Sequence, residues 1–330
     1  MGYRVLGRTG LRVSALGFGC GNVGGLMVRG APAERERAVA RALELGVNYF
    51  DTAPSYGDGL SERHLGQALR SLGVQGDVLV GTKFRVEPHE HGDVRGAVAR
   101  SLEASLGRLG MERVDLLQLH NLVTVDRRTG SVSVEDVLDG VVPALEALRR
   151  QGKIRFYGIT ALGDTAALHR VLGAGVLDTA QVCYNLLNPS AGVAVPRGFP
   201  AQDFGGLLAR AREREAGVIV IRVLAAGALS GVAERHPVAV PSVDPIASGP
   251  DYATDLERAR RLDALVREGH AGSLVEASLL FALSAEAVST VLLGYSSLEH
   301  LERAAAAVAR GPLPPAALSR LSALWAELSR

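Results

Sequence analysis

The chain has 330 residues, with 36 Lys and Arg against 35 Asp and Glu (net charge +1) and a hydrophobic content of 47%, the profile of a folded globular protein. That balance, with arginines spread along helical segments among acids, argues against the clustered basic footprint of a nucleic-acid binder. Two cysteines, Cys20 and Cys183, make no disulfide framework and suit a reducing compartment; with no apolar h-region at the start and no apolar run of roughly 20 residues, a cytoplasmic protein with no membrane contact is expected.

The predicted elements begin with a hairpin, Tyr3–Leu6 and Leu11–Val13, turning through Gly7–Gly10. An apolar run at Ser14–Gly19 follows, then a helix over Ala33–Leu45 that stops at Gly46. The next run, Asn48–Asp51, precedes a helix with Ser61 as N-cap that ends at Leu72. Runs at Val78–Thr82 and Val114–His120 flank a helix over Asp93–Leu109, and a helix over Ser133–Arg150 leads to a run at Phe156–Thr160. The alternation continues through Ala166–Leu172, Thr179–Tyr184, Phe204–Glu215 and Val218–Val223. An aperiodic stretch, Gly231–Asp255, comes before the last run, Thr290–Gly294, and Arg303–Arg310 reads as a helix packed on the body. Short continuous apolar runs suit strands buried on both faces, and their alternation with helices implies an α/β fold with a parallel sheet. Eight such units are the count of a (β/α)₈ TIM barrel in one domain spanning 1–330; spacing alone leaves a doubly wound sheet open.

A barrel builds its active site at the C-terminal ends of its strands. Polar residues closing apolar strands are therefore the candidates: Asp51, Lys83 and His120, with Tyr56 in the loop after the second strand. A tyrosine hydroxyl has a pKa near 10, too high for an efficient proton relay at neutral pH. A neighbouring ammonium favours the phenolate, a buried lysine needs a counter-charge such as Asp51, and a neutral histidine donates a hydrogen bond to a carbonyl. Such a group polarises a carbonyl and supplies a proton, and it lacks only a two-electron source, which implies a hydride-carrying cofactor. Each residue alone has a plainer reading, as a turn residue, a solvated lysine, a structural histidine or a packing tyrosine. Their joint placement is what argues for chemistry.

The segment Phe50-Asp51-Thr52-Ala53-Pro54-Ser55-Tyr56-Gly57, followed by Ser61-Glu62 and Leu65-Gly66, resembles the aldo-keto reductase signature. So do Gly81-Thr82-Lys83 and Asp115-Leu116-Leu117-Gln118-Leu119-His120, and the N-terminal Leu6-Gly7-Arg8-Thr9-Gly10-Leu11 is similar to the β-hairpin that closes the floor of that family's barrel. The resemblance implies a catalytic tetrad of Asp51, Tyr56, Lys83 and His120. It also implies a nicotinamide dinucleotide: Tyr184 stacked on the nicotinamide, Gln181 and Thr160 on its carboxamide, Arg222, Leu224 and Gly227 along the pyrophosphate, and Gly294, Ser296 and His300 by the adenosine, with Gly21 and Asn22 in the first loop beside it. The partner is then a small-molecule carbonyl or alcohol; no nucleic acid, membrane or metal is expected, and nothing in the pattern specifies an oligomeric state.

Some positions depart from the family. Thr160-Ala161 stands for the usual Ser-Asn, and Arg222-Val223-Leu224 for Ser-Pro-Leu, which makes Arg222 a candidate phosphate partner. Ser296 stands where members preferring NADPH commonly carry Arg, leaving His300 or Arg303 as substitutes; NADP(H) is the expected cofactor and NAD(H) the alternative. Gly19-Cys20-Gly21-Asn22-Val23-Gly24 matches a dinucleotide fingerprint, but no helix begins within it as a Rossmann site requires. His89 and His91 flank Glu90 without a third ligand at metal spacing. The loops Leu122–Gly130, with Arg127 and Arg128, Pro189–Gly206 and Gly231–Asp255 are the candidate selectivity elements. The same resemblance carries an alternative function, a dinucleotide-binding redox sensor or regulatory subunit with little turnover.

Overall fold

A computed structural model describes residues 1–328. The hairpin comes first, β1 (Tyr3–Val5) antiparallel to β2 (Arg12–Ser14). The strands that follow are β3 (Leu16–Gly19), β4 (Tyr49–Asp51), β5 (Leu79–Phe84), β6 (Val114–Leu119), the short pair β7 (Leu122–Thr124) and β8 (Ser131–Ser133), then β9 (Ile154–Ala161), β10 (Thr179–Cys183), β11 (Gly217–Ile221) and β12 (Val288–Gly294). Eight of them close a parallel barrel in the order β3-β4-β5-β6-β9-β10-β11-β12, with β12 returning to β3 through Val291 opposite Leu16 and Gly294 opposite Gly19. A closed barrel has no sheet edge, so the doubly wound alternative falls. The dinucleotide-like glycine run has another cause. A Cβ on Gly24 would lie 2.5 Å from the Gly294 carbonyl carbon and the Tyr295 nitrogen, so the glycine lets the first loop close onto the end of β12, and the helix after it, Leu26–Arg29, is one turn long.

The hairpin sits at the barrel floor. Leu6, Leu11 and Val13 pack with Tyr49, Leu116, Ile219 and Leu292 in a small apolar cluster, and the Arg8 N–H donates to the Glu215 carbonyl just ahead of β11 at 2.7 Å. Helices cover the outside, several with side-chain N-caps. Asp93 Oδ1 accepts from the Gly96 N–H at 2.9 Å at the start of Val94–Leu109, and Ser273 and Ser297 cap Leu274–Ser284 and Leu298–Val308 in the same way. The last helix, Pro315–Leu328, seals the barrel wall through Trp325, whose ring meets Phe281 and whose indole N–H donates to the Leu186 carbonyl at 2.8 Å.

Several predicted helices differ. The one read over Arg303–Arg310 runs Leu298–Val308, and the one read over Phe204–Glu215 is shortened to Leu207–Glu213. Ser61 is not an N-cap: the helix runs Leu60–Ser71 from Gly59, and the buried Ser61 hydroxyl turns inward to the Cys20 carbonyl. The stretch read as one helix over Ser133–Arg150 begins on the last residue of β8, is α-helical at Val134 and Glu135, widens into a π-helical turn at Asp136–Val141 and is α-helical again over Val142–Arg150. Pro143 has no N–H to continue an α ladder upstream, and the wider turn absorbs the gap. Among the described residues no helix is long and apolar enough to cross a membrane.

Candidate active site

β4 and β5 run in register with Asp51 opposite Gly81, so Asp51 and, two residues beyond Gly81, Lys83 face the same interior. They are 3% and 1% exposed. Lys83 Nζ donates to Asp51 Oδ1 and, at 2.9 Å, to the Thr52 carbonyl, and it stands 4.9 Å from the centre of the Tyr56 ring. Burial opposes its charge, but the attraction of Asp51 and Tyr56 outweighs burial and raises the lysine pKa, so Lys83 is an ammonium. His120 follows β6, its ring edge-on to Tyr56 with centroids 6.1 Å apart at 87°. Burial first, then the Lys83 and Arg85 cations, lower its pKa to about 3, so the ring is neutral at physiological pH and carries one N–H to donate. The four side chains thus meet at one patch.

Asp51 has further partners. Its Oδ2 accepts from Gln181 Nε2 at 2.6 Å and from the Tyr49 hydroxyl at 3.1 Å. Gln181 Oε1 in turn accepts from Thr160 Oγ1 at 3.2 Å, across the register that sets Gln181 opposite Thr160. Tyr49 lies one residue ahead of the Phe50–Gly57 motif and shares the Asp51 face of its strand, as residues two apart do, but in sequence it is one more aromatic of an apolar run.

A layer of buried polar contacts holds this patch from behind. Glu62, 0% exposed, accepts from Thr82 Oγ1 at 2.6 Å and from Arg108 Nε at 2.5 Å, and Ser61 Oγ lies 2.8 Å from Thr52 Oγ1. The helix Leu60–Ser71 is thereby tied to the residues on either side of Lys83 and Asp51.

The other candidate residues ring the mouth at the C-terminal ends of β3 and β9–β12. Gly21 lies against Tyr56: a Cβ there would be 3.5 Å from the phenol ring. Asn22 Oδ1 is buried without a hydrogen-bond partner. Arg222 follows β11 in a left-handed conformation (φ 56°), its carbonyl accepting from Asn185 Nδ2 at 2.9 Å. Its guanidinium makes one long bond, 3.4 Å to the Asp244 carbonyl, and among the described residues no carboxylate bridges it. Leu224 and Gly227 shape the turn around the 3₁₀ segment Ala225–Ser230. Tyr184 is buried with its ring 4.7 Å from Phe281. Gly294 lies beside Gly19 at the end of the barrel seam, and the buried Ser296 hydroxyl donates to the Gly24 carbonyl at 2.7 Å. His300 meets His236, a residue of the long 231–250 segment, at 5.7 Å between ring centres, and Arg303 is bound to Glu299. The network around Asp51 therefore takes in Gln181 and Thr160, whereas Ser296 and His300 are engaged elsewhere on the rim.

The aldo/keto reductase family model matches residues 15–326. The chain is 31% identical over 311 residues to an L-galactose dehydrogenase of Arabidopsis thaliana, covering 92% of this chain and 87% of that one. It is 29% identical over 346 residues to a D-threo-aldose 1-dehydrogenase of a Pseudomonas species, covering 97% and 94%. Its fold matches an aldo-keto reductase from Bacillus halodurans, in the holo form, with a TM-score of 0.72 at 26% identity, covering 100% and 97% of the two chains. Since the family match runs through every strand of the barrel, the chain belongs to the aldo/keto reductase family, and carbonyl–alcohol oxidoreduction is the reaction class that goes with it.

Proposed function

We propose that the chain is an NAD(P)(H)-dependent oxidoreductase interconverting a carbonyl, of an aldehyde, ketone or sugar, and the corresponding alcohol. Tyr56 gives the proton to the carbonyl oxygen in reduction and takes it back in oxidation. The observation that carries this reading is the buried Lys83 ammonium, held by Asp51 and set 4.9 Å from the Tyr56 ring. A positive charge in so dry a place stabilises the negative charge left on the phenol oxygen when its proton departs. The neutral His120, edge-on to the same ring, orients the carbonyl oxygen. Asp51, itself held by Tyr49 and Gln181, fixes the lysine.

A nicotinamide dinucleotide, when bound, supplies the hydride. The mouth fits such a group in two respects: Asn22 Oδ1 is an acceptor waiting for a donor, and Arg222 is a cation with no carboxylate bridged to it among the described residues. Gly21, Thr160, Gln181, Tyr184, Leu224, Gly227, Gly294, Ser296 and His300 complete the proposed cofactor rim. NADP(H) is the cofactor expected from the family. Ser296 stands where an arginine would clasp a 2′-phosphate, and its hydroxyl is committed to the Gly24 carbonyl, which supports NAD(H) as the second reading. Two relatives are named for aldose oxidation, which puts sugars first among the alcohols to test.

The test is oxidation of NADPH and NADH with a panel of aldehydes, and reduction of NADP⁺ and NAD⁺ with aldoses. Tyr56→Phe should lose about 10²–10⁴-fold in turnover, the usual worth of a general acid–base, with dinucleotide titrations unchanged. Turnover at the wild-type rate in that variant would remove Tyr56 from the mechanism. Tight dinucleotide binding by the wild-type protein without turnover on any substrate would establish the sensor or regulatory reading instead.

A further inference from the structure

Tyr49 stands between the barrel floor and the proposed acid–base site. It is 0% exposed, its ring belongs to the floor cluster with Leu6, Leu116, Ile219 and Leu292, and its hydroxyl reaches Asp51 Oδ2 at 3.1 Å. Room for that hydroxyl comes from Gly81, where a Cβ would lie 2.8 Å from Tyr49 Oη and 3.4 Å from Asp51 Oδ2. The apolar floor needs the ring and has no use for the oxygen, and a buried hydroxyl must find a partner or cost stability. Here the partner is the carboxylate that anchors Lys83. Burial, then the Asp51 charge, hold the Tyr49 phenol well above its ordinary pKa, so it donates at every working pH.

We propose that Tyr49 is a positioning residue for the proton transfer, acting through Asp51; this rests on the reading of Tyr56 as the acid–base. Asp51 divides its acceptor capacity: Oδ1 serves Lys83, and Oδ2 is held by Tyr49 and Gln181. Hydrogen bonds on Oδ2 fix the carboxylate rotamer and disperse its negative charge, so the Lys83 ammonium is less fully cancelled at the Tyr56 oxygen. Without the Tyr49 hydroxyl the carboxylate charge concentrates toward Lys83, the potential at Tyr56 becomes more negative, and the Tyr56 phenol holds its proton more firmly. No bond is made or broken at Tyr49, and its proton stays on the hydroxyl throughout.

Tyr49→Phe keeps the ring and removes the oxygen. The first readout needs no substrate: tyrosinate absorbance against pH in the full chain, with the Tyr56 step identified as the one missing in Tyr56→Phe. In Tyr49→Phe that step should move up by about half a pH unit, a factor of about three in proton affinity. In carbonyl reduction, where Tyr56 must be protonated, the alkaline limb of the kcat profile should move the same way, with kcat a few-fold lower and KM and dinucleotide Kd unchanged. Gly81→Ala crowds the same hydroxyl without removing it and should shift the step in the same direction, with less than additive effect when combined with Tyr49→Phe. An unmoved step and an unmoved profile in both single variants overturn the proposal. Wild-type turnover in Tyr56→Phe is a separate result, and it sinks the acid–base reading on which the proposal rests.

Discussion

His120 sits where its surroundings decide its charge. Burial removes the water that an imidazolium needs, and Lys83 and Arg85 repel the extra proton, so its pKa falls to about 3. An unfolded histidine titrates near 6.5. Between those values the unfolded chain binds the proton and the folded one does not, so stability rises with pH across that window and is lost as pH falls from about 6.5 toward 3. His120→Asn should therefore lose less stability than the wild-type protein between pH 7 and pH 5, read from urea midpoints at the two pH values; an identical loss would show that His120 is charged in the fold. By the same logic the kcat/KM profile should carry no acid limb near 6.5 from this residue. Asp51, Lys83 and His120 could be singled out in the chain because polar residues closing apolar strands stand out, and Tyr56 because it follows Asp51 in the same motif. Tyr49 could not, since one more aromatic in an apolar run looks like core until the closed barrel shows where its hydroxyl points.

At the scale of elements, the helix Leu60–Ser71 is joined to the barrel by Glu62, a carboxylate with no solvent contact that takes Thr82 on one oxygen and Arg108 on the other. It binds β5 and the helix Val94–Leu109 to one another immediately behind Lys83. Glu62→Ala leaves Arg108 without its carboxylate and should cost about 3 kcal/mol, the lower end for breaking a buried ion pair because the arginine is partly solvated. Glu62→Gln, which keeps an acceptor for one partner, should cost less. Chemical denaturation measures both, and equal losses would mean that the carboxylate charge alone matters there, with nothing gained from the acceptor and volume that Gln keeps. The eight barrel strands were legible because each is a short apolar run buried on both faces. What local pattern hid were tertiary demands: the Ser61 hydroxyl is drawn inward by Thr52 and Cys20, Pro143 forces a π-helical turn upstream, and β7 and β8 are three-residue strands too short to show a period.

The whole molecule divides its tasks between the barrel's two ends. At the mouth, charged and polar residues converge on Asp51; at the floor the hairpin closes the interior with Leu6, Leu11 and Val13. The packing of the floor therefore serves stability, and changes there should reach the chemistry only through Tyr49, whose ring lies in the floor cluster and whose hydroxyl lies on Asp51. Leu6 is 0% exposed, so Leu6→Ala removes buried methyl groups and leaves a cavity under the barrel, at a cost of about 3 kcal/mol. Thermal or urea unfolding should show that loss. The Tyr49 hydroxyl remains seated between Gly81 and Asp51, so kcat and its pH profile at temperatures well below the transition should stay at wild-type values. If kcat falls in step with stability, the floor is not a separate support but part of what holds Asp51, and Tyr49 is the residue through which that slack would travel.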